Sequence, residues 1–179
     1  MGSRSAGKFS EINDAYHELT AEFIAGKKLL KTTVKGTFAS AACSTLQELF
    51  KKIKLGKYNS FCDLGSGDGR VVAVASTFTT ATGIEHDHEL IQISKKMVEK
   101  LGLTHCTMVE GDYLFEDLSK FDVLFINPDG PLYKLEKKLR DSNFKGLLVM
   151  FSALYEPLNL NKKDEMFIDM IKIGIYSVV

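Results

Sequence analysis

Apolar and polar residues follow two different patterns along this chain, and the change lies near residue 57. Before that point, apolar positions recur at helical spacing in residues 11–31 and again in 40–55, where Ser40 is the expected N-cap. Between the two predicted helices, the threonine-rich residues 32–37 predict a break. After residue 57, short apolar runs alternate with amphipathic stretches. That alternation predicts parallel strands joined by crossover helices, with helices on both faces of one sheet.

The alternating part of the chain predicts the strands and helices of this sheet. The predicted strands are Phe61–Leu64, Thr82–Glu85, His105–Val109, Phe121–Ile126 and Gly146–Phe151. The predicted helices between them are Asp68–Thr77, His88–Leu101 and Leu132–Arg140. The strand at 121–126 is the most continuously apolar, and a strand buried on both faces has a central place in a parallel sheet.

The C-terminal part of the chain has a different pattern. Residues 152–165 contain Pro157 and several asparagines, so we expect a loop there. Met166–Lys172 and Ile175–Val179 then predict two strands that turn near Gly174. The sheet is therefore expected to end in an antiparallel hairpin.

The composition is that of one globular domain, with 179 residues, 45% hydrophobic and 26% charged. Within this domain we expect residues 1–57 to form a helical extension and residues 58–179 to form the α/β core. The formal net charge is zero, so no overall field favours a nucleic acid or a membrane as partner. No apolar run approaches the roughly 20 residues of a membrane-spanning helix.

The cysteines bear on the compartment. Cys43, Cys62 and Cys106 are odd in number and form no C-x-x-C pair, which argues against a disulfide scaffold or a zinc site. Residues 1–7 lack the apolar core of a signal peptide. Residues 85–89 combine histidines with acids, but a solvated turn is a better interpretation of them than a metal site. We therefore expect a cytoplasmic protein without a bound metal.

A glycine-rich stretch, residues 61–70, is the strongest candidate for a binding site. It consists of an apolar strand, three glycines at alternate positions, and the start of an apolar helix. Without side chains at Gly65, Gly67 and Gly69, a ligand is able to lie directly against the backbone. Asp63 adds a carboxylate at the carboxyl end of the strand, where open α/β sheets bind ligands.

The spacing of these glycines separates the possible cofactors. A dinucleotide-binding turn requires Gly or Ala where this chain has Arg70, and a phosphate-binding P-loop requires a Lys-Ser/Thr pair that does not follow here. Arg70 itself is expected either to pair with Asp68 or Asp63 or to touch the cofactor. Glu85 ends the next predicted strand, 22 residues after Asp63, where an acid accepts hydrogen bonds from ribose hydroxyls. NAD or another nucleotide remains the alternative at this step.

The pattern Asp-x-Gly-x-Gly-x-Gly resembles the first motif of class I S-adenosylmethionine (SAM)-dependent methyltransferases, and the resemblance extends over residues 38–151. It implies a Rossmann-like α/β fold with a mostly parallel seven-stranded sheet, a C-terminal antiparallel hairpin and an N-terminal helical extension. It also implies SAM as the cofactor, with an acid after the third strand for the adenine amino group. The cofactor-binding residues implied are Asp63, Gly65, Ser66, Gly67, Gly69, Glu85, His86, Asp112, Tyr113 and Asn127.

The acceptor side is marked by Asn127-Pro128, the predicted catalytic residues, at the end of the fourth strand. This pair resembles the start of the Asn/Asp-Pro-Pro-Tyr/Phe motif of methyltransferases that modify exocyclic amines of nucleobases and glutamine. Asp129-Gly130 replaces the second proline and the aromatic, so a base would lack its stacking partner unless the loop brings Tyr133 close. The alternative is that residues 127–130 form only a turn before a helix.

A second resemblance favours a protein acceptor. Residues 63–70 and 135–139 are similar to small seven-strand protein-lysine methyltransferases of archaea and mitochondria, in which the segment matching residues 37–40 lines the site. That family usually has a proline there, which this chain lacks. We therefore expect methylation of an amine in a macromolecule, most simply a protein lysine. The alternatives are an exocyclic amine of RNA or DNA, a SAM-binding partner subunit without catalysis, and a nucleotide-dependent oxidoreductase.

Lysines are concentrated just before the core. Between residues 27 and 57 there are eight lysines against one acid, Glu48. The positions are Lys27, Lys28, Lys31, Lys35, Lys51, Lys52, Lys54 and Lys57. Such a stretch suits a phosphate backbone or an acidic protein, although the solvated faces of two helices are the favoured explanation.

Overall fold

In this computed structural model of the chain, the described residues are 2–25, 31–33, 36–38, 41–151 and 155–178. Within them lie five α-helices and nine strands. The helices are α1 (Gly2–Ala25), α2 (Cys43–Lys52), α3 (Arg70–Ala75), α4 (His88–Lys100) and α5 (Tyr133–Asp141). The strands are β1 (Lys31–Thr33), β2 (Gly36–Phe38), β3 (Ser60–Leu64), β4 (Thr80–Glu85), β5 (Cys106–Glu110), β6 (Val123–Ile126), β7 (Leu147–Phe151), β8 (Asn161–Ile168) and β9 (Ile171–Ser177).

Seven of the described strands form one sheet in the order β5-β4-β3-β6-β7-β9-β8. The first five of these are parallel, and β9 pairs antiparallel with both β7 and β8. This is the predicted mostly parallel sheet with a C-terminal antiparallel hairpin, and the fold prediction is confirmed. All four residues of β6 are buried, as its apolar sequence predicted for a central strand.

Two apolar layers cover the sheet. On one face, side chains of α1, α2, α3 and α4 form a single cluster with alternate strand residues, among them Phe61 and Phe125. On the other face, α5 and the β5–β6 connection pack on Cys62, Leu124 and Leu148. Because successive strand residues point to opposite faces, the central strands β3, β6 and β7 contribute to both layers. None of the described helices combines the length and apolarity needed to cross a membrane.

The hairpin turns at a different place from the predicted one. Asp169 and Met170 both have positive φ, 48° and 63°, and form the two-residue turn between β8 and β9. Gly174 lies instead inside β9, where a Cβ would approach the Tyr176 ring to 2.5 Å. The prediction of a loop up to residue 165 was also wrong, because β8 begins at Asn161.

The N-terminal predictions need similar corrections. Residues 31–33 and 36–38, where a break was expected between 32 and 37, pair as the antiparallel strands β1 and β2. Helix α1 begins at Gly2, well before residue 11, and ends at Ala25. The predicted cap Ser40 lies outside the described residues, and α2 begins only at Cys43.

A buried carboxylate holds the residues that shortly precede β8. Glu136 of α5 is 3% exposed and accepts the backbone N–H groups of Leu158 and Asn159 at 3.2 and 2.7 Å. The Asn159 side-chain amide donates to the same carboxylate at 2.9 Å. Since a buried carboxylate needs such donors, these bonds hold residues 158–159 against α5.

Candidate functional site

The sheet order brings the predicted site residues to one edge. Four neighbouring strands of the sheet, β5, β4, β3 and β6, each carry one acid or amide at or just beyond the carboxyl end. In the same order, these residues are Asp112, Glu85, Asp63 and Asn127. The carboxyl ends of parallel strands are where open α/β sheets bind ligands. Residues that are up to 64 positions apart in the chain, from Asp63 to Asn127, thus lie at one edge of the sheet.

The glycine loop has the backbone that its sequence predicted. Gly65, Gly67 and Gly69 have φ angles of 83°, 53° and 82°, in the left-handed region that side chains disfavour. A Cβ built on Gly65 would meet nothing within 4 Å, so the loop is open to a ligand on that side. A Cβ on Gly69 would lie 2.8 Å from Cβ of Ser94, so Gly69 allows α4 to approach the loop.

The N–H groups of the loop are bonded to the protein itself. Gly65 and Ser66 both donate to the Ile84 carbonyl of β4, at 2.9 and 3.1 Å. Gly67 donates to a Glu85 carboxylate oxygen at 2.8 Å, and Gly69 donates to the Ser66 carbonyl at 2.9 Å. A phosphate-binding loop keeps such groups for the ligand. The loop is therefore suited to close contact with a ligand and not to binding a phosphate.

A glycine in β4 lets the loop sit close to the sheet. A Cβ on Gly83 would lie 2.6 Å from both the Ser66 Oγ and the Met108 Cε. The Ser66 hydroxyl is buried and has no hydrogen-bond partner within the described part of the chain. Glycine inside a strand marks such a close approach, so Gly83 is a sequence signal for this contact that the glycine motif alone does not give.

The carboxylates under the loop favour a cationic, hydroxyl-bearing ligand. Asp63 is 2% exposed, and burial together with the carboxylates of Glu85 and Asp68 raises its pKa well above the ordinary value. Glu85 is also buried and accepts the N–H of Asp87 at 2.7 Å with its second oxygen. An ammonium group would compensate Asp63, and the remaining lone pairs of Glu85 are able to accept ribose hydroxyls. SAM carries both groups, so these residues fit it.

A buried ion pair fastens the N-terminal helix to the loop. The Arg70 guanidinium lies 2.6 Å from the Asp68 carboxylate, and it also donates to the Ala41 carbonyl and the Thr20 hydroxyl at 3.2 and 3.1 Å. The Tyr16 hydroxyl of α1 donates to the Asp68 carbonyl at 3.1 Å. Of the roles expected for Arg70, pairing with Asp68 is the one observed. The contribution of Tyr16, 52 residues away, had no sequence signal.

The acceptor end of the edge is more open. Asn127 is exposed, Pro128 beside it is buried, and Tyr133 at the start of α5 is 63% exposed. Tyr113 is half-buried, and its pKa is raised by burial and then by the carboxylates of Asp112 and Asp129. The electrostatic effect of Asp129 on Tyr113 indicates that the loops after β5 and β6 approach each other.

The histidine-containing turn begins a helix. Asp87 accepts the Leu90 N–H at 3.0 Å and so caps α4, which agrees with a turn at residues 85–89. His86 is exposed, and His88 pairs with Glu110 at 2.8 Å. Across the described residues, no group of histidine, cysteine and acidic side chains has the arrangement of a metal site.

Comparison with known proteins identifies the family. Residues 27–128 match the family model "Histone methylation protein DOT1", and this span is more than half of the 179 residues. The chain belongs to the DOT1 family. Among solved structures, its fold is similar to that of an RNA methyltransferase from Salinibacter ruber, crystallised with S-adenosyl-L-homocysteine. The two superpose with a TM-score of 0.65 at 19% identity, over 78% of this chain and 94% of that one.

Two curated proteins are also similar to this DOT1-family chain. A probable cobalt-precorrin-6B C(15)-methyltransferase (decarboxylating) of Sulfurisphaera tokodaii is 32% identical over 119 residues, 60% of this chain and 60% of that protein. EEF1A lysine methyltransferase 2 of Homo sapiens is 25% identical over 116 residues, 58% of this chain and 49% of that protein. The chain thus spans less than two thirds of either relative.

The predicted enzyme class is confirmed by these findings. The family and the fold are those of a class I, SAM-dependent methyltransferase domain, as residues 63–70 indicated, and two solved structures of similar fold, the RNA methyltransferase above among them, were crystallised with S-adenosyl-L-homocysteine. The relatives named above differ in acceptor, so the acceptor of this chain does not follow from them.

Proposed function

We propose that this DOT1-family domain transfers a methyl group from SAM to the side-chain amine of a protein lysine. The observation that carries the acceptor is the sequence after β6, where Asp129-Gly130 stands in place of a proline and an aromatic. No ring at that position stacks a nucleobase, and the Asp129 carboxylate favours a cationic chain over a phosphate backbone. The human lysine methyltransferase among the relatives supports the same acceptor.

We propose that the cofactor is held by residues of the edge from β5 to β6. Asp63 holds the ammonium group in the methionine part of the cofactor, and the backbone of the glycine loop lies against the same part of the cofactor. Glu85 accepts its ribose hydroxyls, with His86 beside them, and Asp112 and Tyr113 hold the adenine. When bound, SAM supplies an electrophilic methyl group. The lysine nitrogen forms the new C–N bond to that methyl group, and the sulfur of SAM keeps the electron pair of the broken C–S bond.

The chain's contribution to the reaction is positioning and loss of water from the amine. Lysine must be neutral to react, and its proton leaves to solvent before attack. We propose that the Asn127 side-chain oxygen accepts a hydrogen bond from the neutral amine and so directs its lone pair at the methyl group. Pro128, which is buried, fixes the backbone next to Asn127.

Labelled methyl transfer onto a cell extract tests the acceptor. The full chain, an Asn127→Ala variant and a heat-inactivated control are each given tritiated SAM, and the product is split into protease-sensitive and nuclease-sensitive fractions. We expect protease-sensitive label recovered as methyllysine, reduced about a hundredfold by Asn127→Ala, as expected for a lost positioning contact. Label lost only to nuclease would establish an RNA or DNA amine as acceptor. SAM binding without any label would establish a non-catalytic partner subunit.

We also propose a reducing compartment such as the cytoplasm. Cys43, Cys62 and Cys106 are all free thiols, and burial raises the pKa of Cys43 to about 11. Such thiols are protonated at neutral pH and unreactive. Fractionation of cells that express the tagged chain checks the compartment.

A further inference from the structure

A shallow basic recess lies along helix α5, which begins shortly after residues 127–130. Its volume is about 600 Å³, and it opens between the loop after β5 and helix α5. We call it the basic recess, and the residues that define it are Leu114, Phe115, Lys134, Lys137, Lys138 and Asp141. Phe115 follows Tyr113 by two residues, and Lys134 follows Asn127 by seven, so both walls begin at the proposed site.

The charges of the recess are positive. Three lysines face one carboxylate, and Asp141 is already paired with Lys137 one helical turn away. Lys134 and Lys138 therefore supply the positive charge among the lining residues; Lys134 is exposed, and Lys138 is half-buried and lies near the Asp117 carboxylate. The two lysines are one helical turn apart on α5, so one acidic segment is able to reach both ammonium groups.

An aromatic ring adds an apolar contact to this charge. Phe115 is 88% exposed, and its ring stands at the rim of the recess. A phenyl ring in water gains free energy when a partner covers it, and aromatic residues beside cations are typical of protein interfaces.

We propose that the basic recess docks acidic side chains of the acceptor protein, next to the lysine that is methylated. The proposal rests on the proposed lysine acceptor. The acceptor lysine then approaches Asn127 past the Asp129 carboxylate, while acidic neighbours of that lysine meet Lys134 and Lys138 and cover Phe115. The site thus selects a lysine in an acidic sequence.

A protein fits this surface better than a nucleic acid does. Among the described residues that line the recess there is no arginine to grip a phosphate with two hydrogen bonds. A peptide with carboxylates beside one lysine matches both the lysines of the recess and the Asp129 carboxylate near Asn127, whereas a phosphate backbone is negative along its whole length.

Charge-reversal variants of the recess test the proposal with the full chain. Lys134→Glu/Lys138→Glu changes the recess, and Lys95→Glu/Lys96→Glu on the exposed face of α4 is the matched control. The probes are synthetic peptides with one lysine flanked by glutamates, by glutamines or by arginines, with tritiated SAM as the donor. Fluorescence anisotropy of the same labelled peptides, with S-adenosyl-L-homocysteine present, measures docking independently of turnover.

We expect the glutamate-flanked peptide to bind and react best, by about tenfold in kcat/KM over the glutamine-flanked one. Lys134→Glu/Lys138→Glu should remove that preference through KM, with kcat for the glutamine-flanked peptide and S-adenosyl-L-homocysteine affinity unchanged. Phe115→Ala should weaken all three peptides about equally. The control pair should behave as the unmodified chain.

Several results would overturn the proposal. Equal use of the three peptides, or no binding of the glutamate-flanked peptide, would reject the docking surface. The docking surface would also be rejected if Lys134→Glu/Lys138→Glu did not change the rate at which extract proteins are methylated on lysine. In that case the proposed lysine methyltransferase function would still hold. A labelled single-stranded RNA that binds and is released by the charge reversal would make the recess a nucleic-acid surface. Absence of methyllysine with every protein acceptor would instead reject the proposed function.

Discussion

The two ends of the candidate site differ in how their polar groups are bonded. At the cofactor end, Asp63 and Glu85 are buried under a loop whose N–H groups are bonded within the protein. At the acceptor end, Asn127 and Tyr133 are exposed on a loop and a helix start. Buried polar groups need complementary partners, whereas exposed ones are satisfied by water. The proposed cofactor end is therefore held by bonds within the fold, whereas the side chains of the proposed acceptor end are exposed to solvent.

The largest expected effect comes from breaking the buried ion pair at the cofactor end. Arg70→Met leaves the Asp68 carboxylate, 1% exposed, without its charged partner. The free energy of unfolding should fall by about 3 to 5 kcal/mol, the range for an uncompensated buried charge. Chemical denaturation followed by circular dichroism measures it.

The double variant Asp68→Asn/Arg70→Met is the control for this loss. It removes the charge as well as its partner, so most of the stability should return. If Arg70→Met alone cost less than about 1 kcal/mol, the pair would behave like a surface pair and the contrast between the two ends would fail.

The next effect concerns the carboxyl of Asp63. Asp63→Asn should weaken S-adenosyl-L-homocysteine binding about ten- to hundredfold, because a hydrogen bond to a charged group is worth about 1.5 to 3 kcal/mol. Calorimetry should also show that the affinity of the unmodified chain falls as pH is lowered through the raised pKa of Asp63, where the carboxylate takes up a proton. Glu110→Gln, an exposed acid at the same edge, should leave the affinity unchanged.

Without cofactor, the same carboxyl should lower stability. Its pKa is higher in the folded protein than in the unfolded chain, so stability falls as pH rises from the unfolded value through the folded one. Asp63→Asn removes this pH-dependent loss, and the cofactor-free variant should unfold at a higher denaturant concentration at neutral pH. A lower midpoint for the variant would show that Asp63 is stabilising, contrary to this account.

The two ends should also differ in how well their packing tolerates an added methyl group. Gly83→Ala places a Cβ 2.6 Å from Ser66 Oγ and Met108 Cε, so the glycine loop must move. We expect a loss of about 1 to 3 kcal/mol in unfolding free energy, as for other overpacked sites, together with weaker S-adenosyl-L-homocysteine binding. Gly130→Ala at the acceptor end meets nothing within 4 Å and should change neither. Equal effects of the two variants would contradict the contrast.

The same contrast explains what the sequence predicted. The alternation of apolar runs and the spacing of Asp63, the glycines and Glu85 predicted the sheet, the enzyme class and the cofactor, because buried groups constrain nearby sequence. The turn at Asp169-Met170 was missed because the pair lacks the glycine that usually marks such a turn, while Gly174 is needed for packing. Tyr16 was missed because its contact is with a residue far away in the chain, and Phe115 because it is exposed. Neither feature produces a recognisable spacing of residues in the nearby sequence.

The smallest expected effect lies on α5, the helix that follows the acceptor end, where Lys137 and Asp141 form an exposed ion pair. The pair is the counterpart of Arg70 and Asp68, with the same two charges but with water around both side chains. A double-mutant cycle with Lys137→Ala and Asp141→Ala should give a coupling of about 0.3 to 0.5 kcal/mol, and added salt should reduce it. The same cycle at Arg70 and Asp68 should give several times more and be nearly independent of salt, because solvent ions do not reach a buried pair. Equal couplings at the two pairs would mean that burial does not strengthen the ion pair at the cofactor end relative to one on the surface.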